Sequence, residues 1–229
     1  MVLAACARPD ARRVADFGSG AGAVGLAVAS RLPAARATLV ERDPEALDDA
    51  RGTLAHVRNA ALADRVVLLA ADLLQRGAER EASGLRAALF DHVLANPPYN
   101  DARHRVSPDT RRAAAHMSDP ATFDAWTRTA AATLVPGGRL TMIVRPANLA
   151  SLLAAWDGRF SGPALLPLHT RPGAATRVLV HGRRGGRNAL AILPSLRLHD
   201  ANGPTHACEA LTSGDAWLDL EGEGAVLKS

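Results

Sequence analysis

Four consecutive residues, Asn96-Pro97-Pro98-Tyr99, combine side chains that suit the binding of a planar amino group. An asparagine side chain offers one acceptor and two donors of hydrogen bonds. The two prolines fix the backbone and lack N–H groups, so their carbonyls can point into a site. A tyrosine ring can stack on a planar group. This tetrad therefore predicts a site for a planar –NH2 group, such as the amine of a base or a side-chain amide. A proline-rich turn that merely closes a strand is the alternative.

The tetrad follows an apolar run, residues 87–95, which predicts a buried strand. In open parallel sheets, ligands bind outside the carboxyl ends of the strands. The position of the tetrad at the end of this strand therefore favours a binding site over a simple turn.

A glycine turn lies upstream, between the predicted strand 12–17 and a helix of small apolar residues. The turn reads Gly18-Ser19-Gly20-Ala21-Gly22, and such a strand, turn and helix N-terminus let a backbone approach a ligand closely. Gly20, Gly22 and Gly25 also satisfy the dinucleotide fingerprint. At this point an NAD site and a tight turn without a ligand both remain open.

Acidic residues follow the next two predicted strands, 37–40 and 66–70. Glu41 ends the first of them, where a carboxylate can take both hydroxyls of a ribose. Asp72 follows the second and can accept a hydrogen bond from an adenine amine, while Leu73 packs on the ring. A surface carboxylate is the alternative for Glu41, and a helix N-cap is the alternative for Asp72.

Helices and strands alternate along most of the chain, which predicts an α/β fold. Asp43-Pro44 and Asp119-Pro120 each predict an N-cap and first helical position, for helices that run to about Asn59 and Leu134. After a turn at 136–138 we expect a strand at 139–144, a helix at 149–156 capped by Asn148, an antiparallel hairpin of strands 164–168 and 177–180, and a short strand near 196–199.

The bulk composition is that of one domain of 229 residues, with a formal charge of +4 and Lys228 as the only lysine. Between residues 136 and 200 the arginines outnumber the acids, which suggests a polyanionic partner better than the total charge does. No apolar run reaches transmembrane length, and the first residues lack the features of a signal peptide. Cys6 and Cys208 show no metal-ligand spacing, so we expect a reduced, cytoplasmic protein without a metal.

A loop rich in charge follows the tetrad and carries Arg103, Arg105, Arg111 and Arg112. These arginines can hold a phosphate backbone, and a solvated loop is the alternative. We expect His104 and His116 to be surface groups.

The order of these motifs resembles that of the class I S-adenosylmethionine-dependent methyltransferases that methylate amino groups, and for this reason we set the NAD interpretation aside. The resemblance implies a Rossmann-like fold with a mostly parallel seven-stranded sheet, an antiparallel C-terminal hairpin and helices on both faces. It implies S-adenosylmethionine as the cofactor, and a catalytic role for Asn96, Pro97, Pro98 and Tyr99. The cofactor-binding residues that it implies are Asp16, Gly18, Ser19, Gly20, Gly22, Glu41, Asp72, Leu73 and Asn96.

Within that class, the chain resembles the bacterial tRNA adenine N6-methyltransferases that act on a valine tRNA. The similarity spans Val2 to Asp200 and includes residues 113–117, 134–140, 171–173 and 177–180. It implies a methyltransferase domain at 1–200 with a tail at 201–229 packed on or trailing from it, a tRNA partner, a monomer or homodimer, and direct transfer without a metal. The chain departs from that family in its short segment before the first strand and in Asn100, where an aromatic is frequent.

Other functions remain open. The same tetrad occurs in methyltransferases of a glutamine amide in release factors, which carry a helical N-terminal domain, and small-molecule amines are further acceptors. DNA adenine methyltransferases usually add a recognition domain, for which we find no segment. A non-catalytic protein that binds the cofactor or RNA is the remaining alternative.

Overall fold

The computed structural model describes residues 1–97, 120–222 and 226–228. Several residues singled out above lie outside the described residues: Pro98, Tyr99, Asn100, Arg103, His104, Arg105, Arg111, Arg112, His116 and Asp119.

The described strands are β1 (Arg13–Phe17), β2 (Arg36–Glu41), β3 (Val66–Ala70), β4 (Phe90–Ala95), β5 (Leu134–Val144), β6 (Ala164–His169), β7 (Arg177–Arg183), β8 (Ala191–Ile192), β9 (Leu196–Arg197), β10 (His199–Asp200), β11 (Gly203–Pro204), β12 (Trp217–Leu218) and β13 (Leu227–Lys228). The described α-helices are α1 (Ala23–Arg31), α2 (Pro44–Ala55), α3 (Gly77–Ala82), α4 (Pro120–Thr133), α5 (Leu149–Trp156) and α6 (His206–Ser213). Short 3₁₀ helices occupy Ala4–Cys6, Val57–Arg65 and Pro146–Asn148.

The central sheet confirms the predicted α/β fold. Its strands lie in the order β3-β2-β1-β4-β5-β7-β6, and the two-residue strands β8 and β9 pair with β6. Strands β1 to β5 are parallel, whereas β7 runs antiparallel to both β5 and β6. The carboxyl ends of β1 to β6 and the start of β7 therefore meet at one edge of the sheet.

Helices cover both faces of this sheet, and β4 shows why its sequence is a continuous apolar run. Val93 packs into the cluster on the face of α4 and α5, and its neighbour Leu94 packs into the cluster on the opposite face. Successive strand side chains point to opposite faces, so a strand covered on both sides must be apolar throughout.

The C-terminal segment packs on the second of these faces. Leu211 and Leu218 join the cluster that contains the N-terminal residues and Val28 of α1. The division into a domain at 1–200 and a tail at 201–229 stays a prediction. Among the described residues, no helix combines the length and the apolar composition needed to cross a bilayer.

Local structure departs from the sequence-based expectations at three places. The Asn148 side chain makes no capping bond, because Pro146–Asn148 is already a 3₁₀ turn that leads into α5. Strand β5 begins at Leu134 rather than 139, since the turn around Gly137 is a bulge inside the strand. Helix α2 ends at Ala55, before the 3₁₀ segment, although its predicted Asp43 cap is confirmed by a 3.0 Å bond from the Glu45 amide.

Candidate active site

The ends of β1 and β2 bring the glycine turn against Glu41. Phe17 pairs with Val40 in the parallel register, and the amides of Gly18 and Ser19 donate to the Val40 carbonyl at 2.9 and 3.1 Å. The Gly20 amide then donates to Glu41 Oε2 at 3.0 Å. The tip of the second strand therefore shapes the turn that follows the first.

Among the residues that the structure describes, three backbone amides hold Glu41. Besides Gly20, the amides of Arg42 and Asp43 donate to Glu41 Oε1 at 2.8 and 3.0 Å. A carboxylate has about four lone-pair sites. These bonds fix the orientation of the carboxylate and leave acceptor capacity for a ligand hydroxyl.

Gly18 and Gly25 are among the glycines of the turn region at which close packing leaves no free space for a Cβ. Gly18 has φ +66°, and a Cβ at this position would lie 2.6 Å from Cη2 of Trp126 on α4. At Gly25, a Cβ would lie 2.1 Å from Cδ2 of Leu39. A glycine is therefore favoured at these two positions because Trp126 of α4 and Leu39 of β2 pack directly against the backbone there.

Asp16 lies behind the turn. Its side chain is 2% exposed, and Oδ2 accepts a 2.9 Å hydrogen bond from the Gly25 amide near the start of α1. Burial, together with the smaller effect of the nearby Glu41 charge, raises the pKa of the Asp16 carboxyl to about 7, although the hydrogen bond from Gly25 acts to lower it. Asp16 therefore orients the first turn of the helix.

Asp72 follows β3 and has two contacts. Its Oδ1 accepts a 2.9 Å bond from the Leu74 amide, and its Oδ2 lies 3.5 Å from Nη1 of Arg42. Helix α3 begins only at Gly77. Asp72 is therefore not the N-cap of that helix, and it shapes a tight turn at the sheet edge.

A cavity of about 500 Å³ opens at this edge. Six of the predicted cofactor residues line it: Gly18, Gly20, Glu41, Asp72, Leu73 and Asn96. Asp16, Ser19 and Gly22 are not among the lining residues. The Ser19 hydroxyl is buried without a hydrogen-bond partner among the described residues.

Several lining residues were not predicted from the sequence. Thr122 and Trp126 come from α4, Arg42, Asp43 and Ala46 come from the start of α2, and Val40, Ala71 and Leu74 come from the strand ends. Phe123, Trp126 and Ala130 recur at helical spacing, which indicates only a buried face. The sequence pattern therefore predicts a core position for Trp126 and gives no indication that it lines a cavity.

Asn96 lies between two cavities. Its side chain is exposed at the end of β4, and it lines both the 500 Å³ cavity and a second one of about 320 Å³. The neighbouring Pro97 is buried. Apolar residues of the second cavity include Val24, Ile143, Leu168 and Leu198, and its polar lining includes Thr170 and Arg177.

The methyltransferase small domain family matches residues 1–153 of this chain. A relative from Porphyromonas gingivalis is 30% identical over 193 residues, covering 82% of this chain and 72% of the relative. A relative from Shewanella loihica is 32% identical over 214 residues, covering 89% of this chain and 84% of the relative. Both are named tRNA1(Val) (adenine(37)-N6)-methyltransferase.

Two further similarities concern other acceptors. A release factor glutamine methyltransferase of Rhodopirellula baltica is 40% identical over 86 residues, covering 38% of this chain and 26% of that protein. The crystal structure of a predicted O-methyltransferase from Agrobacterium tumefaciens has a TM-score of 0.81 and 37% identity, covering 94% of this chain and 96% of the other.

The residues of the larger cavity fit S-adenosylmethionine. The glycine turn lets the backbone approach a ligand closely, and the Glu41 carboxylate can accept a hydrogen bond from a ribose hydroxyl. Leu73 and Trp126 form an apolar part of the cavity wall. The family match, the similarities that cover most of the chain and this fit agree. The chain therefore belongs to the methyltransferase small domain family and is an S-adenosylmethionine-dependent methyltransferase.

Proposed function

We propose that this enzyme methylates the exocyclic N6 amine of an adenine in tRNA, next to the anticodon of a valine tRNA. The observation that carries the proposal is the position of Asn96 between the cofactor cavity and the second cavity. The names of the two relatives that match most of the chain support this choice of acceptor.

S-adenosylmethionine, when bound, supplies an electrophilic methyl group. The exocyclic nitrogen of adenine is a poor nucleophile, because its lone pair is delocalised into the ring. A hydrogen bond from that amine to the side-chain oxygen of Asn96 localises the lone pair on nitrogen. Holding the amine in a fixed position contributes most of the rate enhancement.

The resemblance assigns roles to the rest of the tetrad. The Pro97 carbonyl is a second acceptor for the amine, and the buried position of Pro97 anchors the backbone beside Asn96. Tyr99 is proposed to stack on the extruded base, with about 1–3 kcal/mol for such a contact. The second cavity, at about 320 Å³, is within the range of small-ligand pockets, and this volume supports the proposal that it receives the base.

The test uses total tRNA from cells that lack this gene, purified protein and radiolabelled S-adenosylmethionine, followed by nucleoside analysis. We expect label in N6-methyladenosine and its loss in Asn96→Ala, and cofactor binding by both proteins is measured in parallel. Asn202→Ala is the matched control, because it removes the same side chain from an exposed turn. Unlabelled tRNA, with the cofactor still bound, would refute the proposed acceptor.

Methylation of a glutamine amide is the second candidate, because 86 residues of this chain are similar to part of a release factor glutamine methyltransferase and the amide is also a planar –NH2 group. The same assay with purified release factor as acceptor separates the two. Label on that protein and none on tRNA would favour the glutamine amide.

A further inference from the structure

Three arginines lie at the same edge of the sheet as Asn96. Arg145 directly follows β5, Arg171 lies just beyond β6, and Arg177 begins β7. Strands β5 and β6 run in the direction of β4, and β7 runs against them. The topology therefore gathers all three arginines where β4 presents Asn96.

These arginines line one cavity of about 520 Å³, together with Pro146, Ala147, Thr170 and Thr176. No acidic residue is among its lining residues in the described part of the chain. Thr170 and Arg177 also line the cavity beside Asn96, so the basic cavity adjoins the proposed base site.

The hairpin between β6 and β7 is braced by hydrogen bonds. The Thr176 amide donates to the Leu168 carbonyl at 3.0 Å, and the hydroxyls of Thr170 and Thr176 lie 2.7 Å apart. Nη1 of Arg177 donates to the Thr176 carbonyl at 2.8 Å. This bracing fixes the turn on which the exposed Arg171 is carried.

Charge is divided along this edge of the sheet. The lining of the cofactor cavity, over β1 to β3, includes three acidic residues, Glu41, Asp43 and Asp72, and one arginine, Arg42, whereas Arg145, Arg171 and Arg177 lie over β5 to β7. A polyanion is therefore repelled from the first half of the edge and attracted to the second.

We propose that Arg145, Arg171 and Arg177 bind the phosphodiester groups that flank the target nucleotide, and so place its base beside Asn96. This inference rests on the proposed RNA substrate. Arginine suits the role because its planar fork can donate two parallel hydrogen bonds to a phosphate. Phosphate contacts of this kind position a nucleic acid without reading its sequence.

The test measures binding of a fluorescent anticodon stem-loop RNA by anisotropy over a series of salt concentrations. Three single variants are compared. Arg171→Ala removes an exposed side chain, and Arg145→Ala and Arg177→Ala remove the other two arginines. The control Arg187→Ala removes an exposed arginine beyond the end of β7, at the opposite edge of the sheet. Cofactor binding, measured in parallel, should stay unchanged in every variant.

We expect each variant of the three arginines to weaken binding several-fold and to lower the slope of log K against log salt by about 0.7 to 0.9 per lost phosphate contact. Methylation assays should show a higher KM for RNA at nearly constant kcat for Arg171→Ala. Affinities and slopes equal to those of Arg187→Ala would overturn the inference.

Binding does not require methyl transfer, so failure of this inference is distinguishable from failure of the proposed function. RNA that binds through the arginines but gains no label would leave the phosphate site in place and refute the adenine acceptor. RNA that gains label in N6-methyladenosine, with a salt slope that is unchanged in all variants, would support the adenine acceptor and refute the phosphate site. A wild-type protein that binds no RNA would overturn both.

Discussion

The backbone amide of Gly20 and the carboxylate of Glu41 are joined by a hydrogen bond of 3.0 Å, which ties the glycine turn after β1 to the end of β2. Two further amides, from Arg42 and Asp43, converge on the same carboxylate. One acidic side chain therefore organises both the backbone beside the 500 Å³ cavity and the start of α2.

Replacing Glu41 with Gln should weaken cofactor binding. A glutamine has only one oxygen, so its –NH2 group would face at least one of the three amides and the charge would be lost. Hydrogen bonds to charged groups contribute about 1.5–3 kcal/mol, so we expect a dissociation constant roughly 10- to 100-fold higher. Calorimetric titration with S-adenosylmethionine checks this, with exposed Glu45→Gln as the control. Equal affinities of the two variants would contradict the assigned role.

Gly18→Ala should destabilise the protein more than Gly20→Ala. Both glycines have positive φ, at +66° and +53°, so both substitutions incur backbone strain. At Gly18 the new Cβ would also lie 2.6 Å from the Trp126 ring, whereas at Gly20 no atom of the described residues lies within 4 Å. Thermal unfolding without cofactor measures the difference. A melting temperature for Gly18→Ala at or above that of Gly20→Ala would show that Trp126 does not pack as described.

Asp16 should make the stability of the protein depend on pH. Burial raises its pKa from 3.8 to about 7. Between about pH 4 and pH 7, therefore, Asp16 carries a proton in the folded state but not in the unfolded state. The contribution of Asp16 to the free energy of unfolding therefore falls as pH rises from about 4 to about 7, and then levels off.

Asp16→Asn removes this titration while its amide oxygen can still accept from Gly25. The stability of the variant relative to wild type should rise between pH 4 and 7, by at most about 4 kcal/mol, and stay constant above. Urea unfolding at several pH values measures it, with exposed Asp49→Asn as the control. A difference that is flat with pH would refute the assignment.

Glu221 anchors the C-terminal segment to the sheet. It accepts hydrogen bonds from Arg183 at 2.6 Å and from Arg139 at 3.3 Å, and His181 Nε2 lies 3.1 Å from its Oε1. A buried chain continues from His181 through Thr141 to His92, with steps of 2.7 and 2.8 Å. Burial alone would raise the pKa of Glu221, but the bonds from His181 and Arg183 hold it well below its ordinary range.

Glu221→Gln should lower the free energy of unfolding at pH 7 by about 1–3 kcal/mol, because charge-assisted hydrogen bonds are lost. A carboxyl with a lowered pKa stabilises the fold above about pH 4.5, and this contribution is lost as pH falls towards the folded-state pKa. The difference from wild type should therefore shrink on acidification to pH 3. Urea unfolding at both pH values, with exposed Glu209→Gln alongside, tests this, and a difference that grows in acid would contradict it.

Most of the fold was predictable from local patterns. The apolar runs, the Asp43-Pro44 start of α2 and the glycine turn all lie where the sequence places them, because hydrophobic periodicity and capping act between residues close in the chain. The ends of elements were less predictable. Strand β5 begins at Leu134 because its pairing with β4 continues across the bulge, which no local pattern indicates.

By itself, the sequence determined which residues stand at the strand ends, and hence that Glu41, Asp72 and Asn96 lie at one edge of the sheet, where they line one cavity. Only the tertiary structure decided what lies against them. Trp126 reaches the glycine turn from a helix more than 100 residues further along, and Arg145, Arg171 and Arg177 meet beside Asn96 because β7 inserts between β5 and β6. Such contacts depend on the order in which distant strands pair, and spacing along the chain does not encode that order.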